Sequence, residues 1–445
     1  MLDALPAEIK QKIRTKNFES WTKTSPNSLR FSSFSRFPVL FFVAFLTIIS
    51  LFLTHDVARQ NAAKLVSSQA KTDVNLTPLA DTKKGYQVFG FAPYWTLQKL
   101  SNVDFSVLTT LAYFSVGVGS DGNLITDDSG YRSFMSRSAT SLFAKAHKHN
   151  TSVVLTITQM DNWSIEALLN SQSARERAIS QVVSLVKKRG IDGVNIDFEY
   201  SGGVSQLQRN EFSSFVDVLT SELHRAVPGG RVTVSVYALS VKNPNLYDIQ
   251  KLGQVADGVF MMAYDFAVAG SESATPTDPL YGYREGRYSY DVSTAVADFL
   301  KLMPAKKLIL GVPYYGYNYL VYAPGVKSET LPYYSWKGQP YAVTYSTASA
   351  EITPAMEGVD SYRSGWDSLG EVGWKAYHIA STNTWRMIFL DNSRSLSLKY
   401  EFAKSKQLAG VGIWALGFDD GRQELWAALK NAFGTKLADN TGILR

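Results

Sequence analysis

Cysteine is absent from the 445 residues. That excludes a disulfide scaffold, a zinc–thiolate centre and a cysteine nucleophile. It says little about compartment, because a chain of this length can bury a core without covalent staples. Histidine is scarce: His55, His147, His149, His224 and His378 are all there are, and none falls in a metal-ligand pattern such as H-E-x-x-H. His147 and His149 stand two apart in a helical stretch, hence on different faces, and are expected to be solvated. No G-x-G-x-x-G turn follows the first strand-like run, so the dinucleotide fingerprint is missing. No cofactor and no metal are expected. The formal charge of +6 is unevenly placed: residues 1–36 hold seven basic residues against Asp3, Glu8 and Glu19, a net of +4, leaving +2 for the rest. A nucleic-acid partner therefore loses the support that the overall basicity gives it. Hydrophobic residues make up 45% and charged residues 19%, enough apolar material for a large core.

One uncharged run stands out. Residues 37–54 read FPVLFFVAFLTIISLFLT, and as a helix at 1.5 Å per residue they would span about 27 Å, close to the hydrocarbon thickness of a bilayer. Seven basic residues precede the run and three (Arg59, Lys64, Lys71) lie in the 20 that follow. The expectation is a single-pass anchor at the cell membrane with its basic tail, 1–36, in the cytoplasm and the remainder outside. The alternative is secretion after cleavage of a signal peptide, which a 36-residue leading segment and so long an apolar run argue against. Residues 55–85, rich in Ala, Ser, Gln, Asn, Lys and Thr, read as a linker, and 434–445 as a tail.

From Tyr86 the chain alternates short β-branched or aromatic runs with amphipathic stretches. Strands are expected at 86–94, 106–116, 151–158, 191–199, 231–239, 256–264, 307–315 and 409–417. Helices are expected at Ile165–Arg189, Gln206–Val227, Val292–Met303, Ser395–Lys406 and Arg422–Phe433. Eight strand–helix alternations indicate an α/β fold, a parallel (β/α)8 TIM barrel over 86–433, with an open doubly wound sheet as the alternative. Residues 317–383, between the seventh strand and its helix, read as a small α+β insertion. They contain nine Tyr, three Trp and no Phe. Tyr and Trp suit half-wet positions, so this segment could wall a sugar-binding cleft; the other reading is an ordinary small core.

The richest stretch is Asp192-Gly-Val-Asn-Ile-Asp-Phe-Glu199. On a strand alternate residues share a face, so Val194, Ile196 and Phe198 would meet the helices while Asn195, Asp197 and Glu199 point into the barrel. Burying two carboxylates without a Lys or Arg in the stripe costs stability. Glu199 would also end at the carboxyl edge of the strand, where barrel enzymes keep their active sites. Two close carboxylates on one strand suit general acid catalysis at a glycosidic bond, with ionised Asp197 keeping Glu199 protonated.

These residues resemble the D-x-x-D-x-D-x-E signature of glycoside hydrolase family 18, the chitinase-type barrel enzymes. Met262-Ala-Tyr264-Asp265 is similar to its M-x-Y-D and Gly311-Val-Pro-Tyr-Tyr-Gly316 to its G-x-P-x-Y-G, and Trp414 stands where the family places a tryptophan under the sugar. The resemblance implies a glycosidase of β-1,4-linked N-acetylglucosamine glycans, chitin oligomers or peptidoglycan, acting with retention through the substrate's own 2-acetamido group. By the same resemblance Glu199 is acid and then base, and Asp197 orients the acetamido group. Tyr264 and Asp265 hold its carbonyl and neighbouring hydroxyls, and Trp414 is the apolar floor. Two positions depart from the pattern. Asn195 replaces the middle aspartate, and the third strand ends Thr156-Ile-Thr158-Gln-Met rather than S-x-G-G. With VNIDFE, the first departure resembles the branch that contains spore-cortex and peptidoglycan glucosaminidases. The other reading in view is a non-catalytic chitinase-like lectin, which Glu199 argues against. A monomer is expected.

Overall fold

The structure is a computed structural model, describing residues 76–79, 85–332 and 337–434. The expected membrane run at 37–54, the basic tail, the linker apart from 76–79 and 85, and residues 435–445 of the expected C-terminal tail lie outside the described residues. Among the described residues no helix is long and apolar enough to cross a membrane.

Eight parallel strands close into a barrel in the order β1-β8-β7-β6-β5-β4-β3-β2. They are β1 (Gln87–Pro93), β2 (Thr110–Gly117), β3 (Ser152–Gln159), β4 (Gly193–Phe198), β5 (Arg231–Tyr237), β6 (Gly258–Met262), β7 (Leu308–Pro313) and β8 (Gly410–Trp414). Each falls within one residue or so of an expected run. The reason is chemical: most of these runs are rich in Val, Ile, Leu and aromatics, as strands buried on both faces are, while β4 and β5 alternate apolar residues with polar ones on the inner face. The barrel interior is filled by Phe89, Phe91, Ala112, Phe114, Val154, Phe260 and Ile309, a packed core rather than a pore. Phe260 fits because two facing positions have no side chain. A Cβ on Gly412 would come within 2.2 Å of its ring, and one on Gly311 within 2.9 Å.

Two local expectations need correction. The stretch read as one helix, Ile165–Arg189, is two: Asn162–Asn170 and Gln172–Arg189. Ser171 breaks it, because its hydroxyl accepts the Ala174 N–H and so caps a new helix. His147 is not solvated. Its Nε2 lies 2.7 Å from Asp192 Oδ2, and that carboxylate also accepts the N–H groups of Val153 and Leu79, each at 2.6 Å. Asp192, first residue of the acidic motif, is thus a clasp at the amino end of β4, at the opposite end from Glu199.

After β7 the chain enters a five-stranded antiparallel sheet. In space its strands run Tyr341–Thr344, Tyr315–Val321, Thr384–Leu390, Val372–Ile379 and Val359–Asp367. The sheet begins two residues after β7 and takes in Thr384–Leu390, so it reaches beyond the 317–383 read from sequence. A buried triad ties it down. Lys399, on helix Ser393–Ser405, meets Asp391 at the sheet's end at 2.6 Å and Asp278 from the loop after β6. All three side chains are at most 2% exposed. Burial works against the Lys399 charge, but the two carboxylates outweigh it and hold its pKa above the ordinary value. Burial first, and Asp391 second, push the Asp278 carboxyl well up. Removing the only cation of such a cluster leaves two buried carboxylates uncompensated. Lys399→Met is therefore expected to lower stability by roughly 3–5 kcal/mol, read as a shift in the denaturant midpoint with unchanged slope.

Candidate active site

The inner face of β4 carries Asn195, Asp197 and Glu199, while Val194, Ile196 and Phe198 pack outward with the helices, Phe198 against Phe212 and Phe215. Asn195 is fully buried and its side chain is spent on β5: Thr233 Oγ1 donates to its Oδ1 at 2.8 Å, and its Nδ2 donates to Ser235 Oγ at 3.1 Å. Asp197 is 3% exposed, and its Oδ1 is buried with no hydrogen-bond partner among the described residues. Glu199 sits half-buried just past the carboxyl end of the strand. Its backbone N–H donates to Gln159 O at 3.0 Å, and its Oε2 accepts from the Tyr237 hydroxyl at 3.0 Å.

The neighbouring strands complete the mouth. Asp265, just beyond β6, has φ +60°, a left-handed conformation that aspartate tolerates better than most residues. It is fixed there by hydroxyls. Its N–H donates to Thr277 Oγ1 at 2.9 Å, and its Oδ1 accepts from Tyr315 at 2.6 Å, Tyr317 at 2.8 Å and Thr277 at 3.2 Å. Tyr264 is half-buried with its ring edge toward Tyr315, the centroids 6.0 Å apart. Trp414 closes the top of the barrel core, edge-on to Phe114 at 4.7 Å and Phe91 at 5.4 Å. Trp95, Met160 and Met262 are packed on the same apolar layer. Five of the six residues singled out from sequence, Asp197, Glu199, Tyr264, Asp265 and Trp414, thus lie at or near the carboxyl ends of their strands, whereas Asn195 lies deeper, in the amino half of β4. Among the described residues no group of three or more His, Asp or Glu is arranged to hold a metal ion.

Sequence reasoning missed Tyr237, Thr277, Tyr315 and Tyr317. For Tyr237 a signal was present: Thr233, Ser235 and Tyr237 alternate on β5 as the acidic stripe does on β4. The insertion's described tyrosines fall into three groups, with Tyr341 and Tyr362 at the half-buried positions the sequence suggested. Tyr317, Tyr319 and Tyr377 are buried at 1–2%, so they are core and support, whereas Tyr322 is 58% exposed. Tyr333, Tyr334 and Trp336 lie outside the described residues.

Among the described residues no ion pair reaches these carboxylates, and burial favours their protonated forms. Burial first, and the charge of Glu199 second, push the Asp197 pKa well above the carboxylate range. Glu199 is pushed up to about 7, chiefly by burial; the Tyr237 hydrogen bond opposes this and the charge of Asp265 adds to it. Burial and the charge of Asp265 thus favour the proton on Glu199, beside whatever the neighbouring Asp197 contributes within the pair. Asp265 is also raised by burial, against the three hydroxyls that favour its charged form. The linkage sign follows: a carboxyl whose folded pKa exceeds its unfolded one makes the fold less stable as pH rises, here across about 4.5 to 7 for Glu199. Glu199→Gln removes that cost and is expected to be more stable than wild type by roughly 1–3 kcal/mol above pH 7, with little difference at pH 4, in thermal melts at both pH values.

Comparison with known proteins agrees with this geometry. The family model "Glycosyl hydrolases family 18" matches residues 87–419, three quarters of the chain. The di-N-acetylchitobiase of Mus musculus is 26% identical over 271 residues, covering 57% of this chain and 70% of that protein. The fold is that of the GH18 chitinase from Cycas revoluta solved with (GlcNAc)3, at TM-score 0.66 and 21% identity over 79% of this chain and all of that one. It is also that of the Bacillus cereus spore cortex-lytic enzyme SleL, at TM-score 0.59 and 18% identity over 81% and 75%. The chain belongs to glycosyl hydrolase family 18 and is a glycosidase.

Proposed function

We propose that the protein hydrolyses β-1,4-linked N-acetylglucosamine glycans, chitin oligomers or peptidoglycan strands, outside a membrane to which residues 37–54 tether it. The observation that carries the hydrolytic reading is Glu199, a carboxyl raised to about 7 at the mouth of a family 18 barrel with Asp197 beneath it. A non-catalytic lectin would have no use for an acid pair that costs stability. Asn195, which departs from the chitinase pattern, supports peptidoglycan among the two polymers, and the apolar run with its basic flank supports the tether.

In this reading a sugar rests on Trp414. Asp197, with its bare buried oxygen, receives the N–H of the 2-acetamido group, and Tyr264 and Asp265 hold the acetamido carbonyl and neighbouring hydroxyls. The acetamido oxygen attacks C1 while Glu199 protonates the departing oxygen, giving a cyclic oxazolinium ion. Glu199, now a carboxylate, takes a proton from the water that opens the ring, so the anomeric configuration is retained. No bound cofactor enters these steps.

The test is to extract the full-length chain from membranes, with Glu199→Gln as the matched control, and follow N-acetylglucosamine oligomers and purified peptidoglycan strands by mass spectrometry. Cleavage of at least one polymer is expected, at least 10³-fold slower in Glu199→Gln, and declining as pH rises through about 7 because the acid is then lost. Tight binding by both proteins without cleavage assigns the lectin instead. Recovery of the protein entirely in the soluble fraction removes the tether.

A further inference from the structure

The inner stripe of β5 answers the inner stripe of β4 rung by rung. Parallel pairing sets Asn195 beside Thr233, and alternation then places Thr233, Ser235 and Tyr237 along Asn195, Asp197 and Glu199. Thr233 and Ser235 both bond Asn195, and Tyr237 donates to Glu199 Oε2 at 3.0 Å. Asp197 is the rung passed over, left with a bare oxygen. Tyr237 is itself braced. Its ring stands edge-on to Tyr247, centroids 5.5 Å apart at 81°. Tyr247 packs on Phe212 at 5.9 Å and donates its hydroxyl to the Phe198 carbonyl at 2.7 Å. Two touching tyrosines thus hold the backbone of Phe198 and the side chain of the next residue.

We propose that Tyr237 is a positioning residue that divides the work of the two Glu199 oxygens, occupying Oε2 and so confining the transferable proton to Oε1. The proposal rests on the reading of Glu199 as acid and base.

A carboxyl group has one proton, and an oxygen already accepting from a phenol serves as its carbonyl side. In the first step the O–H bond at Oε1 breaks. The glycosidic C1–O bond breaks with its electron pair on the leaving oxygen, which takes that proton, and the acetamido oxygen forms the new bond to C1. Glu199 is left ionised, and the bond from Tyr237 becomes charge-assisted, hence stronger at the moment charge appears. In the second step water bonds to C1, its proton goes to Oε1, and the C1–acetamido bond breaks. Tyr237 keeps its proton throughout, because burial first and the Glu199 charge second push its pKa well up. The other titratable groups facing Glu199 are Asp197 on β4, Tyr247 after β5, and Tyr264 and Asp265 after β6. None of these is a cation. Among the described residues Tyr237 is the group that favours the charged form of Glu199.

The experiment compares the full-length wild type with Tyr237→Phe, which keeps the ring and removes only the hydroxyl. Two substrates are used: an N-acetylglucosamine tetramer, and an aryl glycoside whose leaving group needs little protonation. The alkaline limb of kcat/KM against pH is expected to move up by about one unit. On the tetramer kcat should fall about 10- to 100-fold with KM unchanged, and much less on the aryl glycoside. Incorporating 3-fluorotyrosine at 237, a stronger donor of nearly the same volume, should move the same limb down, which keeps the test open if Tyr237→Phe folds poorly. An alkaline limb that stays with wild type in both variants, or equal losses on the two substrates, overturns the proposal and leaves Tyr237 as packing. That outcome leaves Glu199 as the acid. A wild type that cleaves neither these substrates nor purified peptidoglycan strands, or a Glu199→Gln variant that cleaves as fast, removes the acid–base reading itself and this proposal with it; a wild type active on peptidoglycan alone carries the same pH comparison over to that polymer.

Discussion

Ionisable groups buried without a cation are the constraint around which this barrel is organised. Asp197, Glu199 and Asp265 stand at one end of a core made of Phe, Ile, Val and Ala. Each would be very costly to keep charged there. The chain answers with hydroxyls instead of lysine or arginine: Tyr237 for Glu199, and Thr277, Tyr315 and Tyr317 for Asp265. A hydroxyl lowers the cost of a negative charge without abolishing the proton affinity that a general acid needs. An ammonium group in its place would pull the Glu199 pKa down and spoil the acid. Where a cation is used, in the Lys399 triad, its carboxylate partners Asp278 and Asp391 do no acid–base work that the site requires, and the task is to hold parts together.

The eight strands and the acidic stripe were legible in the sequence because both depend on local order. A strand buried on two faces is a short apolar run, and two carboxylates two residues apart must share a face wherever that strand goes. The supports were illegible because they are long-range. Tyr315 and Tyr317 lie 50 and 52 residues from Asp265, and Lys399 lies 121 from Asp278. His147 was misread for the same reason, since its helix gives no sign of the carboxylate 45 residues away. The break at Ser171 is different in kind. There a single hydroxyl outweighs a continuous amphipathic pattern, and the pattern alone cannot weigh it.

The depth of the pair shows what a motif leaves out. Spacing places Asp197 and Glu199 on one face but says nothing about depth. Asp197 is the deeper of the two and Asn195 beside it is committed to β5, so among the described residues no hydrogen bond reaches the buried Asp197 Oδ1.

The sheet that follows β7 starts only two residues after that strand ends, and its first strand supplies both tyrosines that grip Asp265. The seat of the sheet and the charge at the mouth therefore cannot be adjusted separately. Were that strand to shift, the two phenols would move together, and with them the bonds that favour the charged form of Asp265. One piece of the fold thus carries both the insertion and the hydroxyls that steady a carboxyl at the barrel mouth.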